Sequence, residues 1–413
     1  MDAEAPRLIL DLTRLVARAG HDVHTGIDRV ERAYLRAVLA RDPRALVVVG
    51  TRAGQLILPA AAGARILGWI ARPDTAPAPG RLFRRLAGAR AARAAALAAL
   101  WPMALGRARC GAGLARVLAG RIGPSGAWFL SVGHQNPAGL ATMAEVPGLR
   151  RAVLIHDTIP LDAPGEPGAA RRLWPVLAEA ARADLAICNS AATAADLARH
   201  AGPPARPLIA PLGVELATPC PAAVPAALAG ADGAAMFLAL GTIEPRKRQD
   251  FLLDLWQALA AAPGAGRMPR LVLAGRIGRA GAAVAARARS LAARGLPVAV
   301  APGLPDAAVA ALMGRAAALL APSRAEGFGL PVAEAAARGL PVLAAPLPAY
   351  RETVGDYPAY LPAGASGAWL AAIRDIAARP RPAGAPGRRG IGVPCWEDHF
   401  ARVFGVMAEG PVP

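Results

Sequence analysis

Short apolar runs of the β type alternate along the chain with longer stretches in which Ala, Leu and Arg recur at helical spacing. Alternating strands and helices are typical of a parallel sheet that is covered by helices on both faces. In the first half of the chain the pattern predicts strands at Leu8–Leu12, Ala45–Val49, Trp128–Val132, Ala152–Ile155 and Asp184–Cys188. The helical stretches between them include Ile27–Arg41, Ala169–Ala183 and Ala191–His200.

A second alternation of the same kind follows a Pro- and Ala-rich stretch, Pro219–Ala231, which predicts a linker. Its strands are predicted at Met236–Leu240, Leu271–Ala274, Val298–Ala301, Ala318–Ala321 and Val342–Ala344. Its helices include Asp250–Ala262, Ala280–Ala293 and Val332–Arg338, and a final helix, Trp396–Ala408, follows the basic segment Arg379–Arg389. The sequence therefore predicts two doubly wound α/β domains.

The predicted domains are a Rossmann-like domain over residues 1–218, a linker over 219–234 and a second Rossmann-like domain over 235–390. The last segment, 391–413, carries a helix that is a candidate to pack back on the first domain. In doubly wound sheets ligands bind outside the carboxyl ends of the strands. With two such domains, we expect the ligand in a cleft between them.

The basic composition, with a formal net charge of +18, is weak evidence for a nucleic-acid partner, because only one of the cationic residues is lysine. That lysine is Lys247, and the other 46 are arginines, which is typical of a GC-rich coding bias. No Gly-Lys-Ser/Thr is present, which excludes a P-loop, and the kinase signature set is missing. The four cysteines are far apart, which argues against a zinc site or a disulfide framework.

The N-terminus is acidic rather than basic, which is not typical of a signal peptide. No run of about 18 uncharged apolar residues could form a membrane span. We therefore expect a cytoplasmic chain that is soluble or peripheral to a membrane. The segment Arg81–Ile122 holds nine arginines and no acidic residue, with leucines and Trp101 between them. It is either a solvated pair of Arg-rich helices or an amphipathic surface that lies on anionic lipid.

The richest candidate for chemistry is the run from Pro322 to Ala335, which follows a predicted strand and opens a helix. Gly327 and Gly329 allow the backbone to approach a ligand closely. Pro331 suits the first helical position, and the free amides around it would bind an anion. Glu326 in the loop and Glu334 in the first helical turn could accept hydrogen bonds from sugar hydroxyls.

A second candidate, Gly241–Arg248, ends the first strand of the second domain. Its three consecutive cations, Arg246, Lys247 and Arg248, are well placed for a diphosphate, although such a run is more often a solvated face. The only lysine of the chain lies here, which indicates a position where a compact ammonium differs from a guanidinium fork.

Together these two runs resemble the nucleotide-sugar site of retaining glycosyltransferases with the GT-B fold, specifically glycosyltransferase family 4 (glycosyl transferases group 1). The resemblance rests on Glu326 and Glu334, separated by seven residues around Gly-Phe-Gly-Leu-Pro, and on the run from Gly241 to Lys247. It covers roughly Met236 to Leu361. It implies the GT-B architecture, in which two Rossmann-like domains face a central cleft.

The resemblance implies roles for individual residues. Glu334 would bind the ribose hydroxyls, Glu326 the transferred sugar, and Arg246 and Lys247 the diphosphate. Many family members carry Arg directly after the glycine that Gly241 matches, whereas this chain has Thr242. The implied donor-binding residues are Gly26, Arg246, Lys247, Glu326, Gly327, Phe328, Gly329, Leu330 and Glu334.

The first domain resembles the family in two shorter segments. Thr25–Arg29 looks like the family's glycine loop facing the donor phosphates, with Gly26 in it. Val153–Pro160 looks like the family's His-Asp segment near the transferred sugar and the acceptor. The implied catalytic residues are His156, Asp157, Arg246, Lys247 and Glu326. Cys188-Asn189-Ser190 ends the next predicted strand and is either part of the same cleft or structural; the other five histidines are left as structural.

These observations predict an enzyme that transfers a hexose, with mannose as one candidate, from a nucleotide-diphosphate sugar to a glycan or lipid-linked acceptor in surface polysaccharide synthesis. No Asp-x-Asp is present, so we expect no metal and no cofactor beyond the nucleotide sugar as co-substrate. We expect no nucleic-acid partner and an anionic membrane surface as a candidate partner. The alternatives are another GT-B enzyme, such as a sugar-nucleotide epimerase, and a non-catalytic basic module that binds RNA or anionic lipid.

Overall fold

A computed structural model describes residues 5–19, 25–78, 89–162, 168–229, 233–262, 267–379 and 390–409. Several predicted features lie partly or wholly outside these residues. They are the acidic residues 1–4, His21, His24, residues 81–88 of the basic segment Arg81–Ile122, residues 230–232 of the predicted linker, and residues 380–389 of the second basic segment.

The chain divides into two compact units. The first unit comprises Met1–Thr158, Ala170–Leu212 and Trp396–Pro413, and the second comprises Ile159–Ala169 and Gly213–Cys395. Each unit is an α/β domain built on a largely parallel sheet, and the predicted GT-B fold class is confirmed. The α-helices in chain order are α1 (Thr13–Ala17), α2 (Gly26–Arg41), α3 (Ala60–Ala71), α4 (Ala89–Leu100), α5 (Gly111–Leu118), α6 (Pro137–Met143), α7 (Ile159–Asp162), α8 (Ala169–Ala181), α9 (Ala191–Ala201), α10 (Ala226–Ala229), α11 (Gln249–Ala261), α12 (Ala282–Ala293), α13 (Asp306–Arg315), α14 (Leu330–Ala337), α15 (Pro348–Val354), α16 (Ser366–Ala378) and α17 (Trp396–Ala408).

The sheet of the first unit has eight strands in the order β4-β3-β2-β1-β5-β6-β7-β8. These strands are β1 (Arg7–Asp11), β2 (Leu46–Thr51), β3 (Gly54–Pro59), β4 (Gly106–Ala108), β5 (Ala127–Ser131), β6 (Leu149–Ile155), β7 (Leu185–Cys188) and β8 (Pro207–Ile209). The sheet is mixed, although the sequence pattern predicted a parallel one, because β3 runs antiparallel to β2 and β4 antiparallel to β3. Only Arg52 and Ala53 join β2 to β3, and a connection this short cannot contain the crossover that a parallel pair needs.

The C-terminal helix α17 belongs to the first unit. His399 on α17 is buried, and its Nε2 lies 2.8 Å from the hydroxyl of Tyr34 on α2. The indole N–H of Trp128 donates to the carbonyl of Met407 over 3.0 Å. Since both partners of each contact are buried, α17 completes the core of the first unit.

The sheet of the second unit has six parallel strands in the order β11-β10-β9-β12-β13-β14. They are β9 (Met236–Leu240), β10 (Arg270–Ala274), β11 (Val298–Ala301), β12 (Ala318–Ala321), β13 (Val342–Ala344) and β14 (Ala359–Tyr360). From β9 the chain builds outward to β11 on one side, and then returns to add β12 to β14 on the other. The boundary between β9 and β12 is therefore the point where the strand order reverses.

The stretch predicted as a linker packs within the second unit instead. Its Val224 and Leu228 are buried in the core of that unit, and the Cys220 N–H donates to the carbonyl of Ala307 over 3.0 Å. The unit boundary lies earlier, at Leu212 and Gly213. The composition of the stretch indicated a linker, but two apolar side chains at the right spacing are enough to anchor it.

The basic segment Arg81–Ile122 also differs from the expected helix pair, because it contributes β4 between α4 and α5. β4 is the edge strand of the first sheet. Among the residues that the structure describes, no helix combines the length and the apolar character that a membrane span requires.

Candidate functional site

The two runs singled out in the second domain meet at the reversal point of its sheet. The run Gly241–Arg248 follows β9, the run Pro322–Gly329 follows β12, and these strands are parallel neighbours. The two loops contact each other directly, since the Arg324 N–H donates to the carbonyl of Arg246 over 2.8 Å. In doubly wound folds the crevice at such a reversal is where ligands bind.

Glycines shape the first of these loops. Gly241 has a φ of 121°, in the region that favours glycine, and a Cβ there would lie 3.3 Å from Lys247 Cε. Gly275, at the end of β10, has a φ of 145°, and its Cβ would lie 2.1 Å from the Gly241 carbonyl oxygen. The absence of a side chain at Gly275 therefore lets its backbone pack against that of Gly241, and the φ of Gly241 is one that glycine adopts readily.

The three cations of the loop do not play equal parts. Residues Pro245–Lys247 form a single 3-10 turn, and Arg248 then adopts a left-handed conformation with a φ of 53°. Arg248 is half-buried, donates to the carbonyl of Ala363 and lies 4.5 Å above the ring of Phe251. The interpretation of all three cations as one solvated or ligand-facing run is wrong for Arg248, which supports the loop from its own unit.

Gln249 is a buried residue of this loop that the sequence analysis missed. Its side-chain amide donates to the carbonyl of Thr242 over 3.1 Å, and its Oε1 accepts from the N–H of Glu244 at 3.4 Å. It thereby joins the two ends of the loop that carries Arg246 and Lys247. A glutamine that opens a helix usually faces solvent, so the sequence held no signal for this contact.

Glu326 lies at the centre of the site and takes hydrogen bonds on both carboxylate oxygens. Oε2 pairs with the Arg246 guanidinium at 2.9 Å, and Oε1 pairs with the Lys247 ammonium. Oε1 also accepts from the Ser323 hydroxyl at 2.8 Å and from the Tyr350 hydroxyl at 3.3 Å. The structure therefore brings together three of the predicted catalytic residues and adds Ser323 and Tyr350, which the sequence analysis did not identify.

Burial and charge act in opposite directions on this cluster. Burial alone would raise the pKa of Glu326, but Lys247 and Arg246 overcome it and lower that pKa to about 2. Burial lowers the pKa of Lys247, and Glu326 opposes this effect. Burial also raises the pKa of Tyr350, so its hydroxyl keeps its proton and donates. Glu326 is therefore an ionised carboxylate that is paired with two cations.

The loop that leads into α14 needs glycine for steric reasons. Gly329 caps the helix with a φ of 90°, and a Cβ there would lie 2.5 Å from Tyr350 Cε1. Gly327 and Phe328 precede it; Phe328 is buried, and its carbonyl accepts from the Thr353 hydroxyl at 3.1 Å. A cavity of about 10 Å³, roughly the space of one water molecule, is lined by Lys247, Glu326 and Tyr350 among others.

Two details of the predicted helix start need correction. α14 begins at Leu330, so Pro331 is its second residue, and Glu334, its fifth, lies beyond the first turn. The amides of Val332 and Ala333 were expected to be free for an anion, but both donate to the Gly329 carbonyl, at 2.9 and 3.1 Å. Glu334 is half-buried, and its charge raises the pKa of Arg338, which burial lowers.

In the first unit, His156 directly follows β6 and is buried against a second histidine. Its Nε2 lies 2.8 Å from the Val132 carbonyl oxygen, so Nε2 carries the proton and Nδ1 is left as an acceptor. The ring of His134 lies 4.8 Å away. Because β5 and β6 are parallel neighbours, histidines just beyond their ends are brought together; His134, left as structural above, could have been found by this argument.

Burial keeps both histidines neutral. It lowers the pKa of His134 to about 4 and holds the pKa of His156 well below its usual value. Asp157, the next residue, is half-buried. Gly26 is the exposed first residue of α2, behind a capping box in which Thr25 and Asp28 bond each other's backbone amides. These three predicted residues lie in the first unit, whereas the other predicted site residues lie in the second.

Buried acids and two arginines surround the start of α2. Asp28 pairs with Arg14 at 3.1 Å and with Arg18 at 2.6 Å. Burial raises the pKa of Asp11 to about 6, and it raises the pKa of Glu31 well above its usual value despite Arg14 nearby. Burial therefore favours the protonated form of Asp11 and Glu31, whereas Asp28 is paired with two arginines.

The segment Cys188-Asn189-Ser190 has clear structural tasks. The Ser190 hydroxyl caps α9 by accepting from the Thr193 N–H at 3.0 Å. The Asn189 side chain donates to the carbonyl of His156 over 2.9 Å. Burial raises the pKa of the Cys188 thiol to about 12. Asn189 thus fixes the backbone of the histidine from the neighbouring strand.

Comparison with known proteins gives one family match. Residues 234–379, about a third of the chain, match the family model described as "Glycosyl transferases group 1". The matched segment contains both loops of the reversal point. A comparison with curated proteins yields no significant match.

Solved structures resemble the chain over nearly its whole length. Sucrose-phosphate synthase from Thermosynechococcus elongatus is 18% identical with a TM-score of 0.59, and the alignment covers 98% of this chain and 96% of that one. HepE from Anabaena, solved in complex with UDP-glucose, is 16% identical with a TM-score of 0.60 and 98% of both chains covered. The fold is GT-B. The group 1 match and this shared fold support a GT-B glycosyltransferase.

TarM is a more distant neighbour. It is 12% identical with a TM-score of 0.50, over 73% of this chain. The chain spans 55% of the length of TarM. This alignment therefore concerns the shared GT-B fold and not the whole of TarM.

Proposed function

We propose that this GT-B enzyme is a retaining glycosyltransferase of family 4, which moves a hexose from a nucleotide-diphosphate sugar to a glycan or lipid-linked acceptor. The observation that carries the proposal is the pairing of Arg246 and Lys247 with Glu326 at the reversal point of the second sheet. Two positioned cations can pair with the negative charge of a diphosphate, and an ionised carboxylate can accept hydrogen bonds from the hydroxyl groups of a sugar. The group 1 match over the same residues supports this interpretation.

The difficult step is the departure of the nucleoside diphosphate. The bond between the anomeric carbon and the phosphate oxygen breaks, and negative charge develops on that oxygen. Arg246 and Lys247 are proposed to stabilise this charge, which is the kind of contribution that preorganised electrostatics makes. The acceptor hydroxyl bonds to the anomeric carbon from the face of the leaving group, and its proton passes to the departing phosphate.

Glu326 and Glu334 are proposed to hold the hydroxyl groups of the donor. Glu326 accepts from the transferred sugar, and Glu334, half-buried in α14, accepts from the ribose. The backbone of Gly327, Phe328, Gly329 and Leu330, which lies between the two glutamates, is proposed to contact the donor.

His156 and Asp157 are proposed to position the sugar or the acceptor from the first unit, and Gly26 to face the donor phosphates. Because His156 Nε2 donates to Val132, its Nδ1 is an acceptor, and the low pKa keeps the ring neutral. His156 is therefore suited to accept a hydrogen bond from a sugar hydroxyl and not to act as a cation.

Uridine nucleotides are the first donors to test. The HepE structures were solved with UDP-glucose or with UDP, and HepE shares the fold over nearly the whole chain. A panel of UDP-glucose, GDP-mannose and ADP-glucose covers three bases. We expect transfer or slow hydrolysis of at least one donor, measured by release of the nucleoside diphosphate. No binding and no turnover with any donor would contradict the proposal.

An epimerase is the alternative enzyme, and product analysis separates the two. An epimerase converts the donor without an acceptor and releases no nucleoside diphosphate in a single conversion of the sugar. We expect the diphosphate to be released in step with transfer. Appearance of an isomeric nucleotide sugar instead would favour the alternative.

We further propose that the enzyme works at an anionic membrane surface in surface polysaccharide synthesis. Trp101 and Leu105 are exposed between α4 and β4, and the Arg107 guanidinium lies 5.4 Å from the Trp101 ring. Arg109 and Arg116 are also exposed. Apolar and aromatic side chains flanked by arginines suit the boundary between lipid headgroups and acyl chains.

Flotation tests the membrane proposal. At low salt, the protein should float with vesicles that contain phosphatidylglycerol and remain below with phosphatidylcholine vesicles. Replacing Arg107 and Arg109 by Glu should abolish flotation, whereas the same change at Arg289 and Arg294, exposed arginines of the second unit, should not. Flotation that survives the first pair of changes, or equal binding to RNA, would contradict a lipid-specific surface.

A further inference from the structure

The carboxylate of Glu326 is already engaged by four hydrogen-bond donors. Three donors converge on its Oε1: the Lys247 ammonium, the Ser323 hydroxyl at 2.8 Å and the Tyr350 hydroxyl at 3.3 Å. Its Oε2 accepts from Arg246 at 2.9 Å. A carboxylate has about four acceptor positions. Oε1 therefore has no acceptor position left, and a sugar hydroxyl can bond it only after one of its three donors has left, whereas Oε2 keeps one position.

The cations of the site are engaged in the same way. Lys247 pairs with Glu326, and Arg246 pairs with Glu326 and also with Glu244, whose Oε1 lies 2.7 Å from its Nε. Arg246 also donates to the Ala325 carbonyl over 3.0 Å. A diphosphate that approaches these two cations therefore competes with the Glu326 carboxylate for their charge.

These two facts are complementary, and they rest on the proposed function of the site. We propose that the donor binds by exchange of ion pairs, and that Glu326 thereby selects the intact nucleotide sugar over the bare nucleoside diphosphate. The diphosphate takes Arg246 and Lys247 from Glu326. The hydroxyl groups of the attached sugar then supply the hydrogen bonds that Glu326 has lost.

Bare nucleoside diphosphate completes only half of this exchange. It takes the cations but leaves a carboxylate whose side chain is 8% exposed without its charged partners. A buried charge that loses its partners is costly, and the added charge of a terminal phosphate repels it further. Glu326 should therefore weaken the binding of the bare product relative to the substrate, which favours product release.

Glu244 provides a matched control in the same cluster. It contacts the same guanidinium, but its side chain is 29% exposed, so water can replace Arg246 as its partner. Replacing Glu244 by Gln removes one negative charge beside Arg246, as Glu326→Gln does, but the carboxylate that it removes is partly exposed to solvent. The proposed selection therefore belongs to Glu326 and not to negative charge in general.

The experiment is isothermal titration of the full chain with UDP, UDP-glucose and inorganic pyrophosphate. For Glu326→Gln we expect UDP and pyrophosphate to bind more tightly, while UDP-glucose does not. The ratio of the UDP dissociation constant to that of UDP-glucose should fall by at least about tenfold, the effect of one hydrogen bond to a charged group. For Glu244→Gln the ratio should change by less than about threefold, as for a solvated pair.

The outcomes separate the inference from the proposed function. If the wild-type protein binds both UDP and UDP-glucose and Glu326→Gln leaves their ratio unchanged, the inference is wrong and the donor site stands. If the wild-type protein binds neither these three probes nor GDP-mannose or ADP-glucose, both are wrong. Should Glu326→Gln fail to fold, Glu326→Asp, which withdraws the carboxylate by one methylene, must lower the ratio in the same direction; an unchanged ratio there also overturns the inference.

Discussion

The cluster around Glu326 and the cluster around His156 hold their titratable groups in opposite states. Each lies beyond the carboxyl ends of neighbouring parallel strands, β9 and β12 in the second unit and β5 and β6 in the first. Near Glu326 two cations lower the pKa of a buried carboxylate to about 2. Near His156 burial dominates, and both histidines are neutral.

The difference shows that partners, and not burial alone, decide whether a buried group is charged. Glu326 and Glu31 are both buried glutamates near an arginine, yet the pKa of Glu326 is lowered and that of Glu31 is raised. Glu326 accepts four hydrogen bonds, while both carboxylate oxygens of Glu31 are buried without a hydrogen-bond donor among the described residues. This difference agrees with the proposed roles, in which the second unit binds the charged diphosphate and His156 accepts from a neutral hydroxyl group.

The largest expected effect comes from Lys247. Lys247→Ala removes one preorganised cation and should lower the transfer rate by ~10²–10³-fold. Lys247→Arg keeps the charge but needs space for a planar fork beside Gly241 and Glu326, so it should also lose most of its activity. Transfer rates of the purified variants, with circular dichroism to verify folding, are the measurement.

Arg294→Lys is a suitable control for the Lys247 variants, because Arg294 is exposed on the second unit. Arg248 would be a poor control, since it supports the loop through Ala363 and Phe251. Full activity of Lys247→Ala would show that the single lysine of the chain is an accident of composition.

His156→Leu tests the neutral half of the comparison. The substitution removes the acceptor Nδ1, and the apolar leucine side chain suits a buried position. The transfer rate should fall about tenfold, which is the effect of losing one hydrogen bond. UDP affinity should not change, because His156 is assigned to the sugar or the acceptor and not to the diphosphate. The pH profile of the wild-type rate should show no inflection near 6.5, since the pKa of His156 lies well below that value. An inflection there would contradict a neutral role.

Gln249→Leu separates loop positioning from charge. It keeps Arg246 and Lys247 but removes the two hydrogen bonds that the Gln249 side chain makes with the backbone of Thr242 and of Glu244. We expect kcat/KM for the donor to fall about tenfold with an unchanged far-UV spectrum. Loss of global stability with normal kcat/KM in the folded fraction would instead show that Gln249 is only structural.

The buried acid Asp11 should make its own contribution to the pH dependence of stability. Its pKa is about 6 in the folded state against 3.8 unfolded, so the folded state takes up a proton first as pH falls from 6 towards 3.8. Protonation of Asp11 therefore stabilises the fold in that window. His134 has the opposite effect, because its pKa is about 4 in the folded state, so that the unfolded state takes up the proton first below pH 6.5.

When the pH is lowered from 7 to 5, the free energy of unfolding should therefore decrease by about 1 kcal/mol more for Asp11→Asn than for the wild-type protein. Urea unfolding at the two pH values measures the difference. Parallel pH profiles for the two proteins would show that Asp11 is ionised in the fold.

The smallest effect is expected from chelation. Because Arg246 and Lys247 supply fixed positive charge for the departing diphosphate, transfer should persist in EDTA. The measurement is the transfer rate with and without the chelator. Complete loss of activity that manganese or magnesium restores would refute this assignment.

The contrast between the two units also explains what the sequence could and could not predict. Five of the six strands of the second sheet were predicted nearly residue by residue, because short apolar runs of this kind are typical of a buried parallel sheet, whereas the two-residue strand β14 was not predicted. β3 and β4 were missed, because antiparallel strands do not follow the alternation of strand and helix from which the sheet was predicted. Predicted residues came together where they share a reversal point, as Lys247 and Glu326 do.

What could not be predicted depends on contacts between distant parts of the chain. Tyr350 reaches Glu326 only because Gly329 leaves space for its ring, and neither residue signals the other in the sequence. Gln249 and His134 are ordinary residues until the fold places them beside Thr242 and His156. The state of charge of the buried groups also followed from tertiary partners and not from residue type.

The most direct test of the central claim is titration of the wild-type protein and Lys247→Ala with UDP-glucose, GDP-mannose and ADP-glucose under identical salt conditions. The claim is that the cations beyond β9 bind the diphosphate of a nucleotide sugar. It predicts that the wild-type protein binds at least one of the three donors, and that Lys247→Ala binds that donor at least about tenfold more weakly while remaining folded. Equal affinity of the two proteins for the donor, or no binding of any donor by the wild-type protein, would contradict it.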